Sequence, residues 1–368
     1  MSNHSHRRCL CRTVPVALLL CTTGTLCPTL ATSAPASDPP GGLVVVIENK
    51  PQEPRLNLRP LDNPLIRGVA LQIRWRDLEP VPGHPDWSKL DQLFAAAESS
   101  EKWVQLLIFP GFWSPEWALD GVQTLMLPIQ YGPGKGTLEK LPVPWDPVYL
   151  NRWFDFLKLL SARYGNSPSF RVAAAAGPTS VSAEFTLPHR PEEIQEWRRV
   201  GYTPSKYTDA WLKVFEVYAA DFPNQFVSLS LGFGMNIDER GKKDARASKP
   251  TKDAIIDEAM RVFGHRFVLQ NSNLDGNPEP DHGPHGIPLI VSYNGRLITG
   301  FQLRTNCLHN SGNMGAEGDP PLALKKSIER GTQPSASGHR INYLEIYAPD
   351  VLADEMQPVL QYGASLFK

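Results

Sequence analysis

Residues 68–117 read GVALQIRWRDLEPVPGHPDWSKLDQLFAAAESSEKWVQLLIFPGFWSPEW, and this stretch sets the period of the chain. An apolar run at Gly68–Trp75 ends in charge, proline and glycine. Asp86 can then cap a helix on which Trp87, Leu90, Leu93, Phe94 and Ala97 share one face. A second apolar run follows at Trp103–Phe109. Strand, amphipathic helix and strand in this order form a unit whose strands pair in parallel through a crossover.

The same alternation extends in both directions. Leu43–Ile47 is a further strand before the unit, and residues 35–42 read as a linker. After it, Asp146-Pro147 opens a helix that stops at Tyr164-Gly165, and Arg171–Ala176 is the fourth strand. Thr203-Pro204 starts the next helix, Val227–Leu231 is strand five, and Thr251–Phe263 is a helix ended by Gly264. Phe267–Gln270, Ile298–Arg304 and Ile341–Tyr347 are strands six to eight, with helices near Leu322–Arg330 and Glu355–Leu366. Eight strand–helix repeats predict one α/β domain over residues 43–368, a (β/α)8 TIM barrel with extended βα loops.

Composition narrows the function. Lys and Arg number 37 against 38 Asp and Glu, with no basic tract, so neither nucleic acid nor an acidic membrane surface has an electrostatic case. Arg7, Arg8 and Arg12 precede the apolar run Val14–Leu20, with small residues at Ala31, Ser33, Ala34 and Ala36. This pattern predicts a signal peptide over residues 1–34 and an exported protein, periplasmic or extracellular, without stable membrane insertion. Leu18-Leu19-Leu20-Cys21 is only a distant match to a lipoprotein signal, with Leu20 where a small residue belongs. Four of the five cysteines fall in that leader, leaving Cys307 with no disulfide partner and no cysteine-based metal site. Gly132-Pro133-Gly134-Lys135-Gly136 lies in a long loop rather than between a strand and a helix, so no nucleotide cofactor is expected. A Gly-x-Ser-x-Gly elbow is also missing.

In such a barrel, chemistry belongs at the C-terminal ends of the strands. Those ends carry Trp75, Trp113, Trp117, Glu184, Asn271, Arg304, Glu345 and Tyr347. Indole faces stack on the C–H faces of sugar rings, amides and guanidinium bond hydroxyls, and two carboxyl groups can flank a glycosidic bond. The expected substrate is an oligo- or polysaccharide, with no cofactor and no metal. Asp281-His282 and His285 would suit a metal-dependent hydrolase, although a polar loop is the simpler reading. Glu79, in the Leu78-Glu79-Pro80 turn, reads as a loop-fixing residue.

The 68–117 stretch also resembles the second and third βα units of clan-A glycoside hydrolases, the family 42 and family 5 types in particular. That resemblance implies hydrolysis of O-glycosyl bonds, with a glutamate after strand four as acid/base; Glu184 is its match. Where the clan carries Asn before that glutamate, this chain has Ala183. The clan's nucleophile ends strand seven. Glu345, in Leu344-Glu345-Ile346-Tyr347, has the required character but falls on strand eight by the count above. Either Leu43–Ile47 stands outside the barrel, or the site departs from the clan pattern with Glu317 as the fallback. A salt bridge to a residue such as Arg304 is the structural alternative for Glu345. Glu184 as acid/base and Glu345 as nucleophile predict a retaining glycosidase of the β-galactosidase or endoglycanase kind. A sugar-binding barrel without a catalytic pair is the alternative.

Overall fold

Leu43-Val44-Val45-Val46-Ile47 contains no polar residue because both of its faces are covered. Val44 and Val46 join Ala70, Trp103, Leu107, Val172, Ala174, Phe226, Val268 and Tyr343 in one cluster inside the barrel. Leu43, Val45 and Ile47 belong to a second, larger cluster between the strands and the surrounding helices. The computed structural model describes residues 38–130, 134–177, 184–278 and 286–367. The expected leader and the Asp281, His282 and His285 stretch lie outside the described residues.

The strands are β1 (Gly42–Glu48), β2 (Ile66–Arg74), β3 (Trp103–Phe109), β4 (Thr124–Pro128), β5 (Leu138–Pro142), β6 (Phe170–Ala174), β7 (Phe226–Ser230), β8 (Phe267–Leu274), β9 (Ile298–Leu303) and β10 (Tyr343–Tyr347). Eight of them close in the order β1-β10-β9-β8-β7-β6-β3-β2, all neighbours parallel, with helices outside. The fold is a (β/α)8 barrel. β1 pairs with both β10 and β2, so Leu43–Ile47 is a barrel strand and Glu345 does stand on the eighth. β4 and β5 form an antiparallel hairpin inside the loop after β3. Its Gly-Pro-rich connection masked the pairing at the level of sequence.

Local chemistry explains where the helices begin. Asp146 accepts from the backbone N–H groups of Val148 (2.9 Å) and Tyr149 (3.1 Å), heading the helix Pro147–Tyr164. The Thr203 hydroxyl accepts from the N–H of Lys206 at 3.2 Å, heading Pro204–Asp221. Asp86 is displaced from the expected cap: it accepts from the N–H of Ser88, and the helix Ser88–Ser99 follows Trp87.

The N-terminal end of the barrel is plugged by two large rings, Trp103 and Tyr343, meeting edge to face with centroids 5.8 Å apart. Two glycines, each on the strand beside one of the rings, make the room. A Cβ on Gly68 would lie 2.4 Å from the Trp103 ring, and one on Gly300 would lie 2.3 Å from the Tyr343 ring. Gly300→Ala should therefore destabilise the protein by about 1–3 kcal/mol through overpacking. Urea unfolding measures this directly, and a variant as stable as the wild type would contradict the packing described.

Candidate active site at the barrel mouth

Glu345 sits in the middle of β10 between Tyr343 and Tyr347, and none of its surface is exposed. A carboxyl group in that position must find all its partners within the protein. Gln105 of β3 donates from Nε2 to Glu345 Oε1 at 2.8 Å, and Gln270 of β8 donates to Oε2 at 3.0 Å. The Tyr343 hydroxyl donates to Gln270 Oε1 at 2.7 Å, which fixes the end of that amide facing the carboxyl. Burial outweighs the two amide hydrogen bonds and pushes the Glu345 carboxyl up to about 8. At neutral pH the group is predominantly a neutral acid. Gln105 Oε1 has no partner among the described residues.

Further along the strands, polar side chains replace the apolar plug. Gln72 of β2 donates to Gln302 Oε1 at 3.0 Å, and Gln302 of β9 donates to the Tyr347 hydroxyl at 2.9 Å. The Ser230 and Ser272 hydroxyls, on β7 and β8, lie 2.7 Å apart. Glu184 bridges Ser230 at the end of β7, and Asn273 Nδ2 approaches its Oε1 at 3.5 Å. The amide beside Glu184 thus comes from β8 rather than from the preceding residue.

Four steps round the barrel from β7, β1 ends in Glu48, on the same side of its strand as Val44 and Val46. Glu48 is open to solvent by area, yet the walls around it raise its pKa against the pull of Lys50. The half-buried Tyr347 reports the arrangement. Its phenol is raised first by burial, then by the carboxylate of Glu48, with further contributions from Glu345 and Glu184. Three glutamates on different elements are therefore within electrostatic reach of one hydroxyl. Glu48 escaped the sequence reading although the period-2 alternation of its strand points it inward.

Several expected site residues do other work. Glu345, expected as the nucleophile, is sealed from solvent with both carboxyl oxygens engaged by amides. Among the described residues Glu345 has no ion pair: Arg304 pairs with Asp275 at 2.9 Å and bonds the Asn313 carbonyl. Arg304 is thus a loop staple, and the exposed Glu317 lies in the same loop region. Asn271 is buried, with Oδ1 accepting from the N–H of Asn273, so it shapes the end of β8. Trp75 has no exposed surface and packs against Trp117, Tyr149, Trp153 and Phe156. It is core, not a sugar platform. Trp113 is nearly buried under two guanidinium groups, Arg74 at 4.0 Å and Arg76 at 4.6 Å from the ring centroid, so its ring is already occupied. Trp117 stays half-buried, its indole N–H held by the Glu79 carbonyl at 3.0 Å. Glu79 itself accepts from Trp75 Nε1 and the Gly83 N–H, both at 2.8 Å, and ties the loops after β2 and β3 together. Among the described residues, no three His, Cys, Asp or Glu side chains cluster as metal ligands, and no helix is long and apolar enough to cross a membrane.

The state of Glu345 has a thermodynamic consequence. The folded carboxyl keeps its proton to about pH 8, whereas the unfolded one releases it near its ordinary 4.5. The folded state therefore binds more protons across that window, and stability falls as pH rises through it, by at most about 1.4 kcal/mol per pH unit. Glu345→Gln abolishes the titration. Relative to this variant, the wild type should lose stability from about pH 5 to about pH 8 in denaturant titrations. Parallel pH profiles for the two proteins would refute the buried neutral acid.

No family model matches the chain, and no curated protein matches it either. Its likeness is to solved structures. The catalytic domain of beta-amylase from Paenibacillus polymyxa superposes with a TM-score of 0.57 at 10% identity, covering 89% of this chain and 99% of that one. Beta-galactosidase from the psychrophilic Marinomonas ef1 gives 0.51 at 10% identity over 88% of this chain and 59% of that one. Xylanase10C from Cellvibrio japonicus gives 0.51 at 9% identity over 90% and 66%. At such identities, the shared property is the barrel.

Proposed function

We propose that the barrel mouth binds glycans and hydrolyses their glycosidic bonds, with Glu184 as acid/base and Glu48 as the facing carboxylate. The observation that carries this reading is the placement of Glu184 against the end of β7 and of Glu48 at the end of β1, on opposite walls of the barrel mouth. Glycoside hydrolysis needs such a pair, one group to protonate the leaving oxygen and one to attack or to activate water. The likeness of the fold to a beta-amylase, a beta-galactosidase and a xylanase agrees with it. Tyr347, held protonated and accepting from Gln302, can donate its O–H to a sugar oxygen at the same mouth. A carboxyl separation of about 5–5.5 Å would make Glu48 the nucleophile of a retaining enzyme, and about 6.5–9.5 Å would make it the base of an inverting one. The Arg-rich, apolar leader supports action outside the cytoplasm.

The non-catalytic sugar-binding barrel keeps one observation in its favour: the glutamate most deeply embedded in the strands is locked in a neutral cluster. Aryl and alkyl glycosides separate the readings. Glu184→Gln and Glu48→Gln should each lower kcat by roughly 10²–10⁴-fold. The Glu184 loss should be larger on alkyl leaving groups, which depend more on protonation. Glu345→Gln should retain most of the activity near neutral pH. Full activity in Glu48→Gln alongside an inactive Glu345→Gln would reverse the assignment. Sugar binding without turnover across a glycan panel would favour the non-catalytic barrel.

A further inference from the structure

Arg74 and Arg76 lie where β2 runs out into its loop and share the ring of Trp113 from the loop after β3. Stacking satisfies the face of a guanidinium but leaves its edge N–H donors unused. Elsewhere, Arg163, Arg199, Arg246, Arg261 and Arg330 each meet a carboxylate within 3.0 Å. Among the described residues, no carboxylate lies at ion-pair distance from Arg74 or Arg76. The acid nearest in sequence, Asp77, has Oδ2 occupied by Asn49 Nδ2 at 2.9 Å. Two cations are thus held side by side, each half-buried; burial lowers the pKa of Arg74, Asp77 opposes it, and the charge of Arg76 adds to the lowering. Such an arrangement is costly until an anion arrives.

Position identifies the kind of anion. Gln72, two residues before Arg74 on the same face of β2, is part of the polar row that ends on Tyr347. The arginine pair therefore stands on the rim of the same mouth, above the β2–β3 wall. We infer that this mouth selects glycans bearing an acidic substituent, a uronic-acid carboxylate or a sulfate ester, and that Arg74 and Arg76 grip that group. The inference rests on the mouth being a sugar site, and it extends that reading to the substrate class. Planar guanidinium forks bond either group in bidentate fashion, while Trp113 holds them in place.

Calorimetric titration of the full chain with methyl β-D-glucuronide, glucose 6-sulfate and methyl β-D-glucoside tests the inference without requiring turnover. At least one acidic sugar should bind roughly tenfold or more tightly than the neutral one, the effect of a charge-assisted hydrogen bond. The margin should shrink as NaCl is raised. The acidic ligand that keeps the preference distinguishes carboxylate from sulfate. Arg74→Gln and Arg76→Gln should remove the preference while leaving neutral-sugar binding unchanged, and Arg74→Lys should restore part of it. Equal binding of acidic and neutral sugars, or a preference that survives both glutamine variants, overturns the inference. If the variants do not fold, the wild-type ratio and its salt dependence decide the matter. An acidic preference without hydrolysis would sink only the catalytic reading. Hydrolysis of neutral glycans with no acidic preference would sink only this inference.

Discussion

The pairing of β1 with β10 on one side and β2 on the other is the constraint on which the other features depend. It closes the sheet, removes both edges, and turns alternate residues of every strand into an interior that is enclosed below the mouth. Once closed, the barrel has a defined end for each residue type. The N-terminal end takes Trp103 and Tyr343, admitted by Gly68 and Gly300, and the C-terminal end takes glutamines, serines and glutamates.

Between these ends, Glu345 shows how strongly position governs chemistry. The same side chain on a rim loop would be an ordinary carboxylate. Enclosed by the strands and met only by the amides of Gln105 and Gln270, it keeps its proton because amides cannot repay the loss of hydration. Glu48 and Glu184 differ by location alone. They stand where the barrel opens, and Tyr347 links their fields to the neutral cluster below.

The aromatic residues follow a similar logic. Tryptophans near strand ends are good sugar platforms only if a face stays open. Here the loops after β2 and β3 are long enough to pack on each other, and Glu79 pins Trp75, Gly83 and Trp117 around a single turn. That packing holds Trp113 beneath two arginines and converts an expected apolar platform into a support for positive charge. This rim accordingly offers guanidinium donors rather than an open aromatic face.

The sequence by itself determined the barrel and its strand count. Apolar runs buried on both faces, Asp-Pro and Thr-Pro helix starts, and helical spacing between them are local signals that survive without tertiary information. Even the discrepancy over Glu345 was legible, since counting from Leu43 already placed it on the eighth strand, where β10 lies. Only the tertiary structure decided which polar residues face one another. Glu48 gains meaning from Tyr347 and Glu184, which are hundreds or scores of positions away, and Arg304 is claimed by Asp275 rather than by Glu345. Burial, and with it the proton on Glu345 and the covered face of Trp113, is set by neighbours on other strands and loops. A linear reading registers the residue types, but charge state and exposed faces are properties of the enclosure.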